Sequence, residues 1–215
     1  MRNYLATAVR AITLSLALVS QAVWAGPNEN EMQVVRFNGK VDVTNSKGVV
    51  GVLSDGQMLT AGAEIRTPAG ASVELRMHNG GIMKIGERSQ ILLSKLEKND
   101  AGWRAHIKIM FGQIRAAMNK LSAGKDQFVV ETPSSIAGIQ GTDVIWTVQP
   151  TLPKRTTIFV FKGAVDFEDS KKNKITVKEN QTASACAPGL LEVSTLSPFV
   201  MHTMTGMLPL DSAVE

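Results

Sequence analysis

Apolar and polar residues alternate along most of the chain with a period of two. The runs 72–77, 104–109 and 127–131 show this most plainly, since each places apolar residues at every second position. Such alternation puts one side of a β-strand against a core and the other side in water. Asn-Gly, Asp-Gly and Gly-Gly sequences separate the runs, because Asn and Gly tolerate the positive φ of tight hairpins. The pattern predicts an all-β, antiparallel fold of sandwich or barrel type.

The alternation predicts strands near residues 33–37, 40–44, 63–67, 71–78, 81–85, 89–97, 103–110, 113–118, 127–131, 143–148, 156–161, 164–168 and 174–178. Two stretches are helix candidates: a short turn at 116–121 and the segment 198–207. After Pro188 and Gly189 the alternation stops. Residues 188–215 are therefore expected to form a short irregular or helical tail, which packs back on the domain or onto a partner.

The first 25 residues have the features of a secretory signal peptide. Arg2 and Arg10 precede an apolar segment, and Ala25 and Gly26 offer small residues at the expected cleavage point. The apolar segment is shorter than the roughly 20 residues that a membrane-spanning helix needs. The sequence therefore predicts export, cleavage after Ala25 and no stable membrane span in the mature chain.

Composition narrows the classes of function. The chain has 215 residues with one Cys and three His, which excludes an intramolecular disulfide and leaves little material for a metal cage. Its net charge is +4, and removal of Arg2 and Arg10 with the signal peptide leaves 21 basic and 19 acidic residues. A charge that small does not favour nucleic-acid binding.

A weak internal repeat suggests that hairpins stack within one domain. Gly39, Gly112 and Gly163 each begin a short stretch in which apolar residues alternate with other residues. Thr-Pro follows two of the predicted strands, at residues 67–68 and 132–133. Proline cannot donate a hydrogen bond to a neighbouring strand, so Thr-Pro is expected to end each of these strands. The spacing is too irregular for a solenoid of equal units.

Several stretches, in this order, resemble the FecR protein domain, a periplasmic module of iron-dicitrate-type regulators. They are Gly-Lys-Val-Asp-Val at 39–43, Leu-Thr-Ala-Gly-Ala-Glu-Ile-Arg-Thr at 59–67, Ala-Ser-Val-Glu-Leu-Arg-Met at 71–77, Asn-Gly-Gly-Ile-Met-Lys-Ile-Gly at 79–86, Phe-Gly-Gln-Ile-Arg at 111–115, Phe-Val-Val-Glu-Thr-Pro at 128–133, Ile-Gln-Gly-Thr-Asp-Val at 139–144 and Ile-Phe-Val-Phe-Lys-Gly-Ala-Val at 158–165. Each stretch is weak alone, and the ordered series is more specific.

The resemblance implies a jelly-roll-like domain over residues 30–187 that acts in the periplasm as a regulatory binding module. It also marks a set of motif residues that are expected to be structural: Gly39, Gly112, Thr132, Pro133, Gly141, Thr142 and Gly163. Known regulators of this family couple an outer-membrane receptor to a cytoplasmic sigma factor. Only ten residues precede the apolar segment here, too few for the cytoplasmic domain of those regulators, so the resemblance implies a free-standing version.

Candidate chemical groups favour structural roles. The Gly-rich stretch 138–142 lacks the Lys that a phosphate-binding loop needs and leads into a strand. Cys186 has no nearby base in the sequence to activate it, and His78 and His106 have no ligand partners at metal-binding spacing. The sequence therefore predicts no catalytic, cofactor or metal site.

Two further groups remain as alternatives to be weighed. Asp166 and Glu168 share one side of a predicted hairpin, as a glycosidase pair would, but the lysines that follow favour a charged hairpin tip. Among the aromatic residues, Trp103 is the one candidate for exposure, where it could stack on a sugar, and burial in the core is the default expectation.

Two hypotheses for function follow. The first is a non-catalytic periplasmic module in envelope signalling that binds a periplasmic or outer-membrane protein. The second is a structural envelope component that binds polysaccharide or self-assembles without signalling. An enzyme is the least favoured class, because no reactive groups are expected to converge.

Overall fold

The computed structural model describes residues 27–100, 102–118, 127–139, 141–186 and 189–211; the predicted signal peptide lies outside these residues. The described residues form β1 (Glu31–Asn38), β2 (Asp42–Thr44), β3 (Val50–Val52), β4 (Met58–Thr60), β5 (Glu64–Thr67), β6 (Ser72–Met77), β7 (Ile82–Ile85), β8 (Ser89–Asn99), β9 (Gly102–Ala117), β10 (Gln127–Glu131), β11 (Ser135–Ile139), β12 (Asp143–Val148), β13 (Arg155–Lys162), β14 (Ala164–Asp169), β15 (Lys174–Lys178), β16 (Gln181–Cys186), β17 (Leu190–Thr195) and α1 (Pro198–Met207).

The strands form two sheets that share β9. Sheet A has the order β4-β1-β6-β7-β9-β12-β13-β16-β17. Sheet B has the order β3-β2-β5-β8-β9-β10-β11-β14-β15. Among the described strands every pairing is antiparallel except that of β9 with β10. The all-β prediction with a helical tail is confirmed, and the jelly-roll connectivity stays a prediction.

Both sheets contribute to one hydrophobic core. Leu75 and Trp146 reach it from sheet A, and Ile107 and Phe167 reach it from sheet B. All four side chains are fully buried. These residues occupy the apolar positions of the alternating runs, so the period of two in the sequence is the burial pattern of the strands. The hydrophobic effect at this shared core is the main stabilising contribution to the fold.

The predicted strands correspond to strands of the structure with two kinds of difference. The runs 103–110 and 113–118 belong mainly to one strand, β9. Five strands were not predicted: β3 and β4 have only three residues each, and β11, β16 and β17 are partly built from small or polar residues. The helix candidate at 198–207 is confirmed as α1. The turn at 116–121 is wrong in its first two residues, which end β9, and 119–121 lie outside the described residues.

The three repeated glycines mark crossings between the sheets. Gly39 lies between β1 of sheet A and β2 of sheet B, and Gly163 lies between β13 and β14 in the same way. Gly112 lies inside β9, where pairing changes from β8 to β12 and β7. All three have positive φ, at 73°, 83° and 104° respectively, which glycine adopts without the steric cost of a Cβ atom.

The chain after β17 is fixed to the outer face of sheet A at two points. Leu196 and Leu208, before and after α1, are 6% and 3% exposed, whereas α1 itself has no buried residue. Ser197 caps the helix by accepting a hydrogen bond from the Val200 N–H, and Pro198 occupies its first turn. The predicted return of the tail onto the domain is therefore confirmed for its flanks. No helix in the described part of the chain is both long and apolar enough to cross a membrane.

Asp211 holds the end of the tail and makes it sensitive to acid. Its carboxylate accepts a hydrogen bond from Lys84 Nζ at 2.6 Å, and this bond lowers the pKa of Asp211 below its ordinary 3.8. Because the pKa of Asp211 is lower when the tail is docked, its ionised carboxylate stabilises docking at pH values above the ordinary pKa. This contribution is lost as the pH falls through the lowered pKa of the docked state.

We expect the protection of the amide protons of residues 208, 210 and 211, measured against the intrinsic exchange rate at each pH, to fall as the pH drops through the lowered pKa of Asp211, below 3.8, while protection in β9 stays high. Asp211→Asn should show the faster exchange already at neutral pH. Equal exchange of the variant and the unaltered protein at neutral pH would contradict this role of Asp211.

Candidate binding face

The two sheets differ in what covers their outer faces. Outward residues of sheet A are buried beneath the tail: Glu74 is 1% exposed and Lys84 is 7% exposed. Arg115 Nη1 donates a hydrogen bond to the Leu208 carbonyl at 3.1 Å and its guanidinium pairs with Asp143 through two bonds of 2.9 and 2.7 Å. The tail thus meets a polar surface in which each charge has an opposite partner. Within the described residues, no segment covers the corresponding surface of sheet B in this way.

We call the uncovered surface of sheet B the open face. It consists of Arg104, His106, Lys108 and Met110 on β9, Val129 and Glu131 on β10, Ile136 and Gly138 on β11, and Asp166 and Glu168 on β14. Met110 is 45% exposed and Ile136 is 39% exposed, so apolar side chains reach solvent among charged ones. A partly apolar surface with a charged surround is typical of protein-binding sites.

Register aligns these residues in rows across the strands. One row runs from His106 through Val129 and Gly138 to Asp166. Gly138 has no side chain, and a Cβ atom built there meets nothing within 4 Å. A shallow groove of about 440 Å³ therefore lies over Gly138, bordered by Val129, Ile136 and Asp166.

The β9 side of the open face is basic. His106 Nε2 lies 2.8 Å from Glu131 Oε2, and Lys108 Nζ lies 3.2 Å from the same oxygen. Glu131 thus joins Lys108 of β9 to β10, and His106 lies beside this ion pair. Such half-exposed ion pairs contribute little to stability, so their main effect is to fix where positive charge is displayed.

The β14 side of the open face is acidic. Glu168 is paired with Lys172 at 2.9 Å and with Lys174 at 3.0 Å, and the bond from Lys172 is the main cause of the lowered pKa of Glu168. Asp166 accepts a hydrogen bond from Thr176 Oγ1 at 2.9 Å and, among the described residues, pairs with no cation. The groove therefore has an unneutralised carboxylate on one wall. Asp166 and Glu168 lie on the same face of β14. The contacts of Glu168 with Lys172 and Lys174 are those of a charged hairpin tip, as predicted.

Thr132 organises a buried cluster of hydroxyl groups below the open face. Its Oγ1 lies 2.7 Å from Thr156 Oγ1 and 2.8 Å from Ser135 Oγ, and Ser134 Oγ lies 2.7 Å from Thr156 Oγ1. Thr132 also accepts the Ser135 N–H at 3.0 Å, so it closes the turn at Pro133. The hydroxyl groups bond to one another and to backbone, an arrangement suited to shaping the turn.

Gly141 and Thr142 form the crossing from β11 to β12. Gly141 has a φ of 62°, and Thr142 is 1% exposed. A Cβ atom on Gly163 would lie 2.9 Å from the Thr142 methyl group and 3.0 Å from the Gly141 carbonyl. The crossing at Gly141 and Thr142 therefore packs against the crossing at Gly163, although Gly163 is far from the other two residues in sequence.

The remaining candidate groups do not converge on a reactive centre. No group of three or more His, Cys, Asp or Glu residues in the described part of the chain is placed to hold a metal ion. Cys186 is half-buried on β16. Trp103 is only 1% exposed and donates its Nε1–H to the Glu29 carbonyl at 2.8 Å, so it belongs to the core and offers no surface to a sugar. His78 packs against Trp103 with ring centroids 4.7 Å apart.

The groove was missed because sequence alternation identifies strands but not their neighbours. Strand β11 was not predicted, since Ser135 to Ile139 contains only two large apolar residues. The alternation of Ala137 and Ile139 with Ile136 and Gly138 was the available signal. Nothing in the sequence placed Gly138 between Val129 and Asp166, because that depends on which strands pair.

Comparisons with known proteins agree with this fold. Residues 63–166 match the family model described as FecR protein. No curated protein sequence gives a match. Two crystal structures of a candidate anti-sigma factor from Parabacteroides distasonis align with a TM-score of 0.54 and 13% identity over 66% of this chain. The alignments cover 65% and 64% of the crystallised chains, slightly under two thirds of their length. At this identity the similarity shows a shared fold.

Proposed function

Residues 63–166 are a domain of the FecR family, and from this premise we propose that the protein is a non-catalytic regulatory module of the cell envelope. It acts in the periplasm by binding another protein through the open face. The single observation that carries the proposal is the difference between the two outer faces. The tail covers the polar surface of sheet A, whereas sheet B leaves Met110 and Ile136 in contact with solvent.

The chemistry of the open face supports a protein partner. Its cations lie on β9, its carboxylates lie on β14, and Val129, Ile136 and the groove over Gly138 lie between them. A partner that places an apolar or cationic side chain over Gly138 would meet the carboxylate of Asp166. Separated charges of both signs set the orientation of such a partner and disfavour wrong ones.

The same face is less suited to polysaccharide. Sugar rings are commonly bound by stacking on exposed aromatic side chains, which offer a flat apolar surface. Trp103, Phe128 and Phe167 lie on the strands of sheet B, but they point into the core and are each at most 1% exposed. This arrangement supports the signalling hypothesis over a structural component that binds glycan.

Envelope signalling by contact with another protein is the role that this proposal favours. The fold is shared with a candidate anti-sigma factor, and a regulatory domain in the envelope must pass its signal by contact with other proteins. We therefore propose that the open face receives a periplasmic or outer-membrane protein whose binding state is the signal.

Site-specific photo-crosslinking in cells tests the proposal. A photo-reactive amino acid at Gly138 should give a covalent adduct with one envelope protein, identified by mass spectrometry. The same amino acid at Val193, which is 46% exposed on β17, is the matched control and should not give that adduct. Both positions tolerate a larger side chain, since Gly138 has open space above it.

A charge substitution completes the test. Ile136→Lys should lower the yield of the Gly138 adduct about tenfold, because a charge replaces an apolar contact worth roughly 1.4 kcal/mol. Its thermal stability should stay within about 1 kcal/mol of the unaltered protein, since exposed positions tolerate substitution. The absence of an adduct, together with retention of the protein on purified peptidoglycan, would overturn the proposal in favour of a structural component.

A further inference from the structure

Strand β3 is an open edge of sheet B. It pairs in register with β2, and none of the other described strands pairs with its second side. Val49, Val50 and Val52 are 61%, 68% and 53% exposed, the densest group of exposed large apolar residues in the described part of the chain. An uncharged, apolar edge strand is a template for pairing with another strand.

The hydrogen bonds of the β2–β3 hairpin show which backbone groups are free. The Asn45 N–H donates to the Val49 carbonyl and the Leu53 N–H donates to the Val41 carbonyl. The backbone N–H and C=O groups of successive residues point to opposite sides of a strand, so those of Val49, Gly51 and Leu53 point toward β2. The N–H and C=O groups of Val50 and Val52 therefore point away from the sheet, toward a further strand.

The opposite edge of sheet B is protected, and β3 is not. At that edge, β15 carries Lys174 and Lys178, both exposed. Charged residues, lysine above all, are the usual means by which edge strands avoid pairing with other chains. Strand β3 has the sequence Val-Gly-Val and carries no charge of its own.

The β3 edge is complementary to itself in antiparallel register. When two copies pair about Gly51, Val50 of one copy lies opposite Val52 of the other, and the four free backbone groups on each side find partners. Lys47 and Asp55 are both exposed and lie four residues before and after Gly51. Both residues lie in the turns that flank β3, so antiparallel pairing of the two strands brings the turn that holds Lys47 toward the turn that holds Asp55 of the second copy.

We propose that β3 is an interface between two copies of this chain, which joins their B sheets into one continuous antiparallel sheet. The edge at β3 is not part of the open face, so this dimer does not depend on the function proposed for that face. The partner is a second copy of this chain, because a single antiparallel arrangement places Val50 opposite Val52 and brings the turn of Lys47 toward the turn of Asp55 at both ends. A short interface of this kind gives a reversible dimer whose population depends on concentration.

Disulfide trapping tests the register. In a Cys186→Ser background, Gly51→Cys places two thiols opposite each other at a pair with no backbone hydrogen bond, where Cα atoms approach closely enough for a disulfide. A Cβ atom at Gly51 meets nothing within 4 Å, so the substitution leaves the fold unchanged. We expect covalent dimers under mild oxidation. Val193→Cys, on the edge strand β17 of sheet A, is the matched control and should stay monomeric.

Charge reversal tests the same interface without cysteine. By sedimentation velocity, Lys47→Glu and Asp55→Lys should each weaken the dimer severalfold, and the double variant should restore it. Val50→Lys should abolish the dimer, and Val193→Lys should not. A protein that sediments as a monomer up to about 100 µM would overturn the proposal. Equal trapping of cysteines at 51 and 193 would overturn it as well.

Discussion

Replacement of Gly112 by valine is expected to destabilise the domain by about 4 kcal/mol. Gly112 has a φ of 104° at the crossing inside β9, and a Cβ atom there would lie 2.5 Å from the Ser89 Cα, in addition to contacting the Ser89 side chain. The positive φ costs about 1–3 kcal/mol for a residue with a side chain, and the overlap with β8 adds about 1–3 kcal/mol. A loss of about 4 kcal/mol is a large part of the stability of a typical domain.

The loss is measured by chemical unfolding followed through the fluorescence of Trp103 and Trp146, which are both buried. Gly138→Ala is the matched control, because Gly138 also lies in a strand but has an ordinary φ and open space above it. It should be neutral or slightly stabilising, since alanine restricts the unfolded chain. Equal stability of the two variants would show that the crossing does not require glycine.

Replacement of Lys84 by alanine should destabilise the domain by about 3 kcal/mol. The Lys84 side chain is 9% exposed, and its ammonium lies 3.4 Å from Glu74 and 2.6 Å from Asp211. Without it, the Glu74 carboxylate, 2% exposed, loses the Lys84 ammonium in a site that water barely reaches. The variant should also loosen the end of the tail, because Asp211 loses its salt bridge with Lys84, although its backbone N–H still donates to Glu74. Unfolding curves and the hydrogen exchange of residues 208–211 measure the two effects.

The double variant Lys84→Met with Glu74→Leu separates charge from packing. Replacing both partners of a buried ion pair by apolar residues is often neutral, whereas removing one is costly. The double variant should therefore recover most of the stability lost in Lys84→Ala, but the end of the tail should remain loose, since Asp211 has lost both the Lys84 ammonium and the Glu74 carboxylate that accepts its N–H. A double variant as unstable as the single one would mean that the ion pair is not the cause.

The crossings show how far sequence patterns reach. The repeat at Gly39, Gly112 and Gly163 was visible in the sequence, and Thr-Pro at 132–133 marked the end of β10. The sequence did not show that these glycines lie where the chain crosses from one sheet to the other. A glycine can end a hairpin or carry a strand from one sheet to the other, and these alternatives leave the same local pattern. The choice depends on Ser89 and Thr142, which are distant in sequence and close in space.

The alternation of apolar and polar residues determined the strand class, most strand positions and the buried side of each strand, because burial of every second residue is a local property of an extended chain. The tertiary structure alone decided that the tail shields sheet A, that Gly138 lies between Val129 and Asp166, and that Trp103 is buried. These depend on which strands become neighbours. Neighbours are chosen by the free energy of the whole packed core, which no short stretch of sequence contains.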